Sequence, residues 1–164
     1  MLELSAALDI EVSSPEGLFF PDTYHYPWGT TAFSLLKISK DKMKEIIDEE
    51  WINRKPNLAF TSKYEALVLA SIIEKETANP SERTMISGVF SNRLSKRMRL
   101  QSDPTVIYGL GELYTGNLKK AHLRQWTPHN TYKIKGLPPT PIAMPGRDSI
   151  RAALQPKVTD ALYF

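Results

Sequence analysis

The sequence has no cysteine, which excludes disulfides and thiolate metal sites and leaves the redox compartment open. Histidine is scarce too. His25, His122 and His129 show none of the close spacings that chelate a metal, so neither a metal nor another cofactor is expected. There is no uninterrupted apolar run of about 18 residues, the length that would span a bilayer. The start also lacks the basic-then-apolar order of a signal peptide, so the chain as given is expected to be soluble. Charge of one sign is lacking as well. Lys and Arg (21) outnumber Asp and Glu (18) by only three, too small an excess to identify an anionic partner.

What is present suits one domain: 164 residues, 41% of them hydrophobic, can bury a core without dividing into two. Residues 1–14 are weakly patterned. The segment SPEGLFFPDTYHYPWGTT, with Pro21 and Pro27, reads as an aromatic loop, more simply clamped onto the core than serving as a ligand-stacking wall. Over 31–54, Phe33, Leu36, Met43, Ile46, Ile47 and Trp51 recur near helical spacing and predict an amphipathic surface helix. A second helix is announced by Ser62 and Glu65, the two ends of a capping box. It is apolar on nearly every side from Ala66 to Ile73, which predicts a central helix over 63–78, ending before Asn79 and Pro80. Ser81 offers a cap for a third helix over 82–97, with Met85, Val89, Phe90 and Leu94 inward.

The central helix raises the main chemical question, because the acid Glu74 directly follows its apolar run. On a helix Glu74 continues the face of Leu67, Ala70 and Ser71, while Glu76 lies about 200° away. A carboxyl on that apolar face would hold its proton, as cleavage of a glycosidic bond requires. The plainer reading, which the pattern alone favours, is a helix end reaching water or pairing with Lys63, Lys75 or an arginine.

Two further stretches carry polar groups. In RMRLQSDPTVIYGLG, Gln101, Ser102 and Asp103 form a turn, and Ser102 or Asp103 is placed to cap a short helix over 104–109 with Pro104 at its first position. In HNTYKIKGLPPTPIAMPG, Asn130, Thr131 and Tyr132 offer amide, hydroxyl and phenol groups suited to sugars, or equally a stiff proline-rich loop using them for its own turns. Asp148 or Ser149 caps a last helix over 148–154, and ALYF ends the chain with strand-like residues. The expected class is α+β, mainly helical with a small β component.

The ordered blocks EGLFFPDTY, LASIIEKET, SER, NRL, RLQSDPTVIYGLG, HNTY and GLPPTPIAMPG, with the ALYF end, resemble one family, the endolytic murein transglycosylases or YceG-like proteins. The resemblance implies a catalytic domain over 16–164 and a lead-in over 1–15 left from a preceding region. It implies that the first Glu of EKET, Glu74, is the catalytic acid, with Glu76, Glu82, Gln101, Ser102, Asp103, Asn130, Thr131 and Tyr132 in binding or supporting roles.

The implied reaction breaks the β-1,4 bond between N-acetylmuramic acid and N-acetylglucosamine and leaves a 1,6-anhydro end. One Glu acts as acid and then as base. The implied partners are peptidoglycan strands and cell-wall synthases, at the outer face of the cytoplasmic membrane. Two departures stand out: His129 replaces a frequent Tyr, and the chain stops at Phe164, before the family's usual Gly- and Thr-rich strand and final helix. The family's N-terminal membrane helix and small LysM-like domain are not in this sequence either, so any membrane contact would come through a segment outside it.

The alternatives are a non-catalytic peptidoglycan-binding module, which would hold strands without making anhydro ends, and a muramidase that uses water. Nucleic-acid binding through the basic stretch RLSKRMR lacks interleaved aromatics and a recognised motif, and is not expected.

Overall fold

The capping box at residues 62–65 starts the helix around which the other elements are arranged. In the computed structural model, which describes residues 14–164, Ser62 Oγ accepts the Glu65 N–H at 3.2 Å and the Glu65 carboxylate accepts the Ser62 N–H at 3.0 Å. Two donors that a helix start leaves open are thereby satisfied. The lead-in expected over 1–15 lies, except for its last two residues, outside the described residues.

The elements are α1 (Ala32–Ile52), α2 (Lys63–Glu76), α3 (Arg83–Ser95), α4 (Asp103–Leu110), a 3-10 turn (Gly111–Leu113), α5 (Lys120–Arg124) and α6 (Arg147–Leu154). The helices expected over 31–54, 63–78, 82–97, 104–109 and 148–154 all form, with ends within two residues. Every residue of α2 from Ala66 to Ile73 is buried. Its most extensive packing is against α6, with α1, α3 and α4 completing the surround. Met43, Ile46 and Ile47 come from α1, Ile86 and Phe90 from α3, and Ile150, Ala153 and Leu154 from α6. Each fully buried Leu or Ile contributes roughly 1.5–3 kcal/mol, so Leu69, Ile72 and Ile73 alone make α2 the anchor of the domain.

A buried acid fastens α1 to α6. Glu50 accepts from Arg151 Nε at 3.1 Å and Nη2 at 2.8 Å, and from Arg147 Nη1 at 3.1 Å. These partners, Arg151 foremost, hold its carboxyl below the usual range despite burial. The aromatic loop is clamped as expected at Phe20, whose N–H donates to Ser39 O and whose ring packs on the core. Trp28, by contrast, is fully exposed.

The β component is absent: no strand occurs among the described residues, and the α+β expectation gives way to a helical domain with long loops. The reason lies in how the ALYF end is held. Its carbonyls are taken by side chains of α3, not by a neighbouring backbone. Asn92 Nδ2 donates to Thr159 O and Ala161 O, and Arg93 Nε donates to Leu162 O. Gly88 lets this tail cross α3 closely, since a Cβ there would stand 2.5 Å from Lys157 O.

Two expected caps also differ. The N-cap of α3 is Glu82, not Ser81, whose hydroxyl donates to Asn79 Oδ1. The N-cap of α6 is Gly146, with Asp148 and Ser149 inside the first turn.

Candidate active site

The last turn of α2 sends its two acids to opposite sides, as about 200° of helical rotation demands. Glu74 faces α3 and the start of α6. Its Oε2 accepts the Gly146 N–H at 2.9 Å and its Oε1 accepts from Arg83 Nη2 at 3.2 Å. Arg83 is nearly buried and, among the described residues, reaches one other carboxylate, Asp148, at 3.8 Å. The dry apolar setting expected for Glu74 is therefore not found. It sits in a charged clamp that joins α2, α3 and α6, closer to the plainer reading of a helix-end acid paired with an arginine.

Glu76 turns to the other side and meets the loop ahead of α4. Ser102 Oγ donates to Glu76 Oε2 at 2.8 Å. Burial pushes the Glu76 carboxyl above the usual range; the Ser102 hydrogen bond opposes this and the Asp103 charge adds to it. The residue lines a cleft of about 200 Å³ together with Gln101, Asp103, Tyr132, Arg93 and Tyr163.

The cleft owes its shape to the stretches 101–105 and 129–132. Ser102 occupies the N-cap position of α4, yet its hydroxyl makes no cap and serves Glu76 instead. Its backbone is pinned on both sides: Ser102 N–H donates to Thr131 Oγ1 at 3.0 Å, and Thr105 Oγ1 donates to Ser102 O at 2.7 Å. Gln101 stands in the left-handed region, with φ of 55°, and its N–H donates to Thr131 O. A non-glycine residue there carries on the order of 1 kcal/mol of strain, tolerated where the surroundings fix it. Tyr132 O–H donates to Asp103 Oδ1 at 2.7 Å. Burial first, and the Asp103 carboxylate second, push the phenol up to about 12, so it remains a proton donor at neutral pH.

The expected site residues thus separate. Glu76, Gln101, Ser102, Asp103 and Tyr132 come together. Glu82 does not join them: its carboxylate accepts from Thr77 Oγ1 and Asn79 Nδ2 and shapes the turn between α2 and α3. Asn130 is fully buried, its amide donating to the His122, Leu123 and Gln125 carbonyls and its oxygen accepting the Tyr132 N–H. Thr131 is buried in the Ser102–Thr105 network. Both hold Tyr132 and Ser102 in place and offer no free polar atom to a sugar.

His129, the departure from the family pattern, bonds Thr140 Oγ1 through Nε2 at 2.8 Å and meets Tyr108 edge-on. Arg93, Arg83 and Tyr163 were missed by sequence reasoning. Arg93 had a signal, because Ile86, Phe90 and Arg93 share one face of α3 at i, i+4 and i+7. Its guanidinium is buried inside the domain, which removes it from the basic stretch at 93–99.

The model of the YceG-like family matches residues 2–164. The chain belongs to that family. It is 41% identical over 152 residues to the endolytic murein transglycosylase of Bacillus subtilis and 35% identical over 155 residues to that of Streptococcus pneumoniae. Each alignment takes in 91% of this chain, which spans 41% of the Bacillus protein and 27% of the streptococcal one. The crystal structure of a YceG-like protein from Listeria monocytogenes superposes with a TM-score of 0.78 at 38% identity, covering 98% of this chain and 52% of that one. The helical fold described above is therefore that of a YceG-like family member. Among its described residues no helix is long and apolar enough to cross a membrane.

Proposed function

We propose that this YceG-like domain cleaves the glycan backbone of peptidoglycan by lytic transglycosylation, with Glu76, and not Glu74, as its acid and base. The observation that carries the assignment is the contrast at the end of α2. Glu76 lines a cleft and is pushed toward its protonated form by burial, whereas Glu74 is engaged by Arg83 and the Gly146 amide. The names of the Bacillus and Streptococcus relatives support the reaction class.

Protonated Glu76 gives its proton to the glycosidic oxygen as the bond between C1 of N-acetylmuramic acid and that oxygen breaks. The resulting carboxylate, steadied by the Ser102 hydroxyl, then takes the proton of the same sugar's C6 hydroxyl while O6 bonds to C1. The glycan gains a 1,6-anhydro end, the other fragment gains a hydroxyl, and Glu76 is protonated again. Gln101 and the Tyr132–Asp103 pair orient the sugar and offer dipoles to the positive charge developing at C1.

A water-using muramidase is the second reading, favoured by one observation: Asp103 is a further carboxylate on the same cleft. Digestion of purified sacculi in ¹⁸O-labelled water separates the two. Transglycosylation predicts unlabelled muramic ends lighter by one water than reducing ends; labelled reducing ends would make the domain a hydrolase. Strand capture with no new ends would make it a binding module.

A further inference from the structure

The Glu76 cleft has an aromatic wall that the proposed chemistry does not use. Tyr163 lines it together with Glu76 and leaves 71% of its surface open to solvent. The ring is also anchored. The Arg93 guanidinium lies 4.8 Å from its centroid. Arg93 is itself only 6% exposed and is fixed by two short hydrogen bonds, Nε to Leu162 O and Nη1 to Leu100 O, each 2.6 Å. On the other side of Tyr163 in the chain, Phe164 packs edge-on against Phe90 at 5.6 Å. Both chain neighbours of Tyr163 are therefore tied to α3.

We propose that Tyr163 is a stacking platform for one pyranose ring of the glycan, seated beside the bond that Glu76 cleaves. This rests on the reading of the Glu76 cleft as a glycan-cleaving site. The face of an aromatic ring is electron-rich and attracts the weakly positive axial C–H groups of a chair sugar, while the sugar's hydroxyl edge seeks polar partners. The cleft lining supplies both, with Tyr163 as the aromatic face and Gln101, Asp103 and Tyr132 as polar partners. A ring held in place before the ligand arrives loses little freedom on binding, which turns contact area into affinity.

The test measures binding of peptidoglycan glycan strands freed of stem peptides, using the Glu76→Gln chain so that no cleavage occurs. Tyr163→Ala is expected to weaken binding roughly 3- to 10-fold, the scale of one aromatic contact. Tyr163→Phe restores it. Should Tyr163→Ala melt early, Tyr163→Leu keeps apolar bulk without a π face and is expected to bind as weakly. In the chain with Glu76 intact, Tyr163→Ala should raise KM and leave the alkaline limb of the pH profile where it was.

Binding by Tyr163→Ala within twofold of its parent, while the unaltered chain still makes anhydro ends, overturns the platform and spares the reading of Glu76. Weakened binding in a chain that makes no new ends sustains the platform and removes the catalytic reading. If the parent binds no strands at all, both are overturned.

Discussion

Glu76→Gln is the most discriminating perturbation, because its effects on activity and on stability have different signs. The amide keeps the shape and can still accept the Ser102 hydroxyl that now bonds Oε2 at 2.8 Å. It cannot donate or remove the proton in flight. General acid–base catalysis accounts for roughly 10²- to 10⁴-fold in rate, or about 3 to 5 kcal/mol of barrier at 1.36 kcal/mol per tenfold. A group used in both half-steps belongs at the upper end.

Stability should not fall with it. Burial raises the folded-state pKa of Glu76, so the folded chain binds that proton more tightly than the unfolded one. Stability therefore declines as pH climbs from the unfolded value of about 4.3 to the folded one, and above that the ionised, partly buried carboxylate is a standing cost. At neutral pH Glu76→Gln should melt no earlier than the parent, and in acid below about pH 4 the two should converge.

Glu74→Gln should do the reverse. It removes the charge beside Arg83, leaving the longer contact to Asp148 at 3.8 Å, at a cost of about 1–3 kcal/mol. The acid step itself remains. The assay is chromatography and mass spectrometry of muropeptides from digested sacculi, run with thermal melts. An inactive Glu74→Gln of normal stability beside an active Glu76→Gln would refute the argument from burial and return the acid to the other face.

Ser102→Ala removes a donor that favours the charged form of Glu76, so the alkaline limb of activity should move to higher pH; a limb that stays or moves down counts against the contact. Glu50→Gln should destabilise by about 1–3 kcal/mol, less than a fully buried pair because Arg147 and Arg151 are half exposed. Glu50's folded pKa is depressed, so its contribution is complete above about 4.3 and is lost as pH falls through the lower folded value. The gap between parent and variant should then close in acid melts, and a gap independent of pH would contradict the ion-pair account. Gly88→Ala puts a Cβ 2.5 Å from Lys157 O and 3.0 Å from Thr159 Cγ2, which should lower the denaturant midpoint by the equivalent of about 1–3 kcal/mol. An unchanged midpoint would mean that the tail does not cross α3 tightly.

Helices were legible where local chemistry and periodicity agreed. Ser62 and Glu65 fixed the start of α2, and its all-round apolar body announced burial before any partner was known. The absent β component was misjudged for a physical reason. Ala161–Leu162–Tyr163–Phe164 has strand composition, but a strand requires a neighbouring backbone, and sequence does not reveal that Asn92 and Arg93 side chains take those carbonyls instead. Two side-chain caps failed similarly: Ser81 is not the N-cap of α3, and Ser102 takes the N-cap position of α4 without making the cap hydrogen bond. Ser81 and Ser102 are both good N-cap residues, yet one turns to Asn79 and the other to Glu76, competitors brought near only by the fold.

Of the expected residues, the fold gathers Glu76, Gln101, Ser102, Asp103 and Tyr132 at one cleft and turns Glu82, Asn130 and Thr131 elsewhere. Periodicity correctly set Glu74 and Glu76 on opposite faces, and the step from there to a dry Glu74 assumed that an apolar stripe continues into apolar surroundings. It does not continue here, because Arg83 and the Gly146 amide arrive from α3 and the start of α6. Glu76 follows Leu69, Ile72 and Ile73 on its own face, and what the sequence does not reveal is that the 101–103 loop meets it there through the Ser102 hydroxyl. The same logic divides Asn130 and Thr131 from Tyr132. A buried amide or hydroxyl must find partners within the protein, and Asn130 and Thr131 find theirs in the loop backbone and in Ser102 and Thr105. On the proposed reading, the polar groups left to act on a substrate are those the network positions but does not exhaust: the Glu76 carboxyl, the Gln101 side chain and the Tyr132–Asp103 pair.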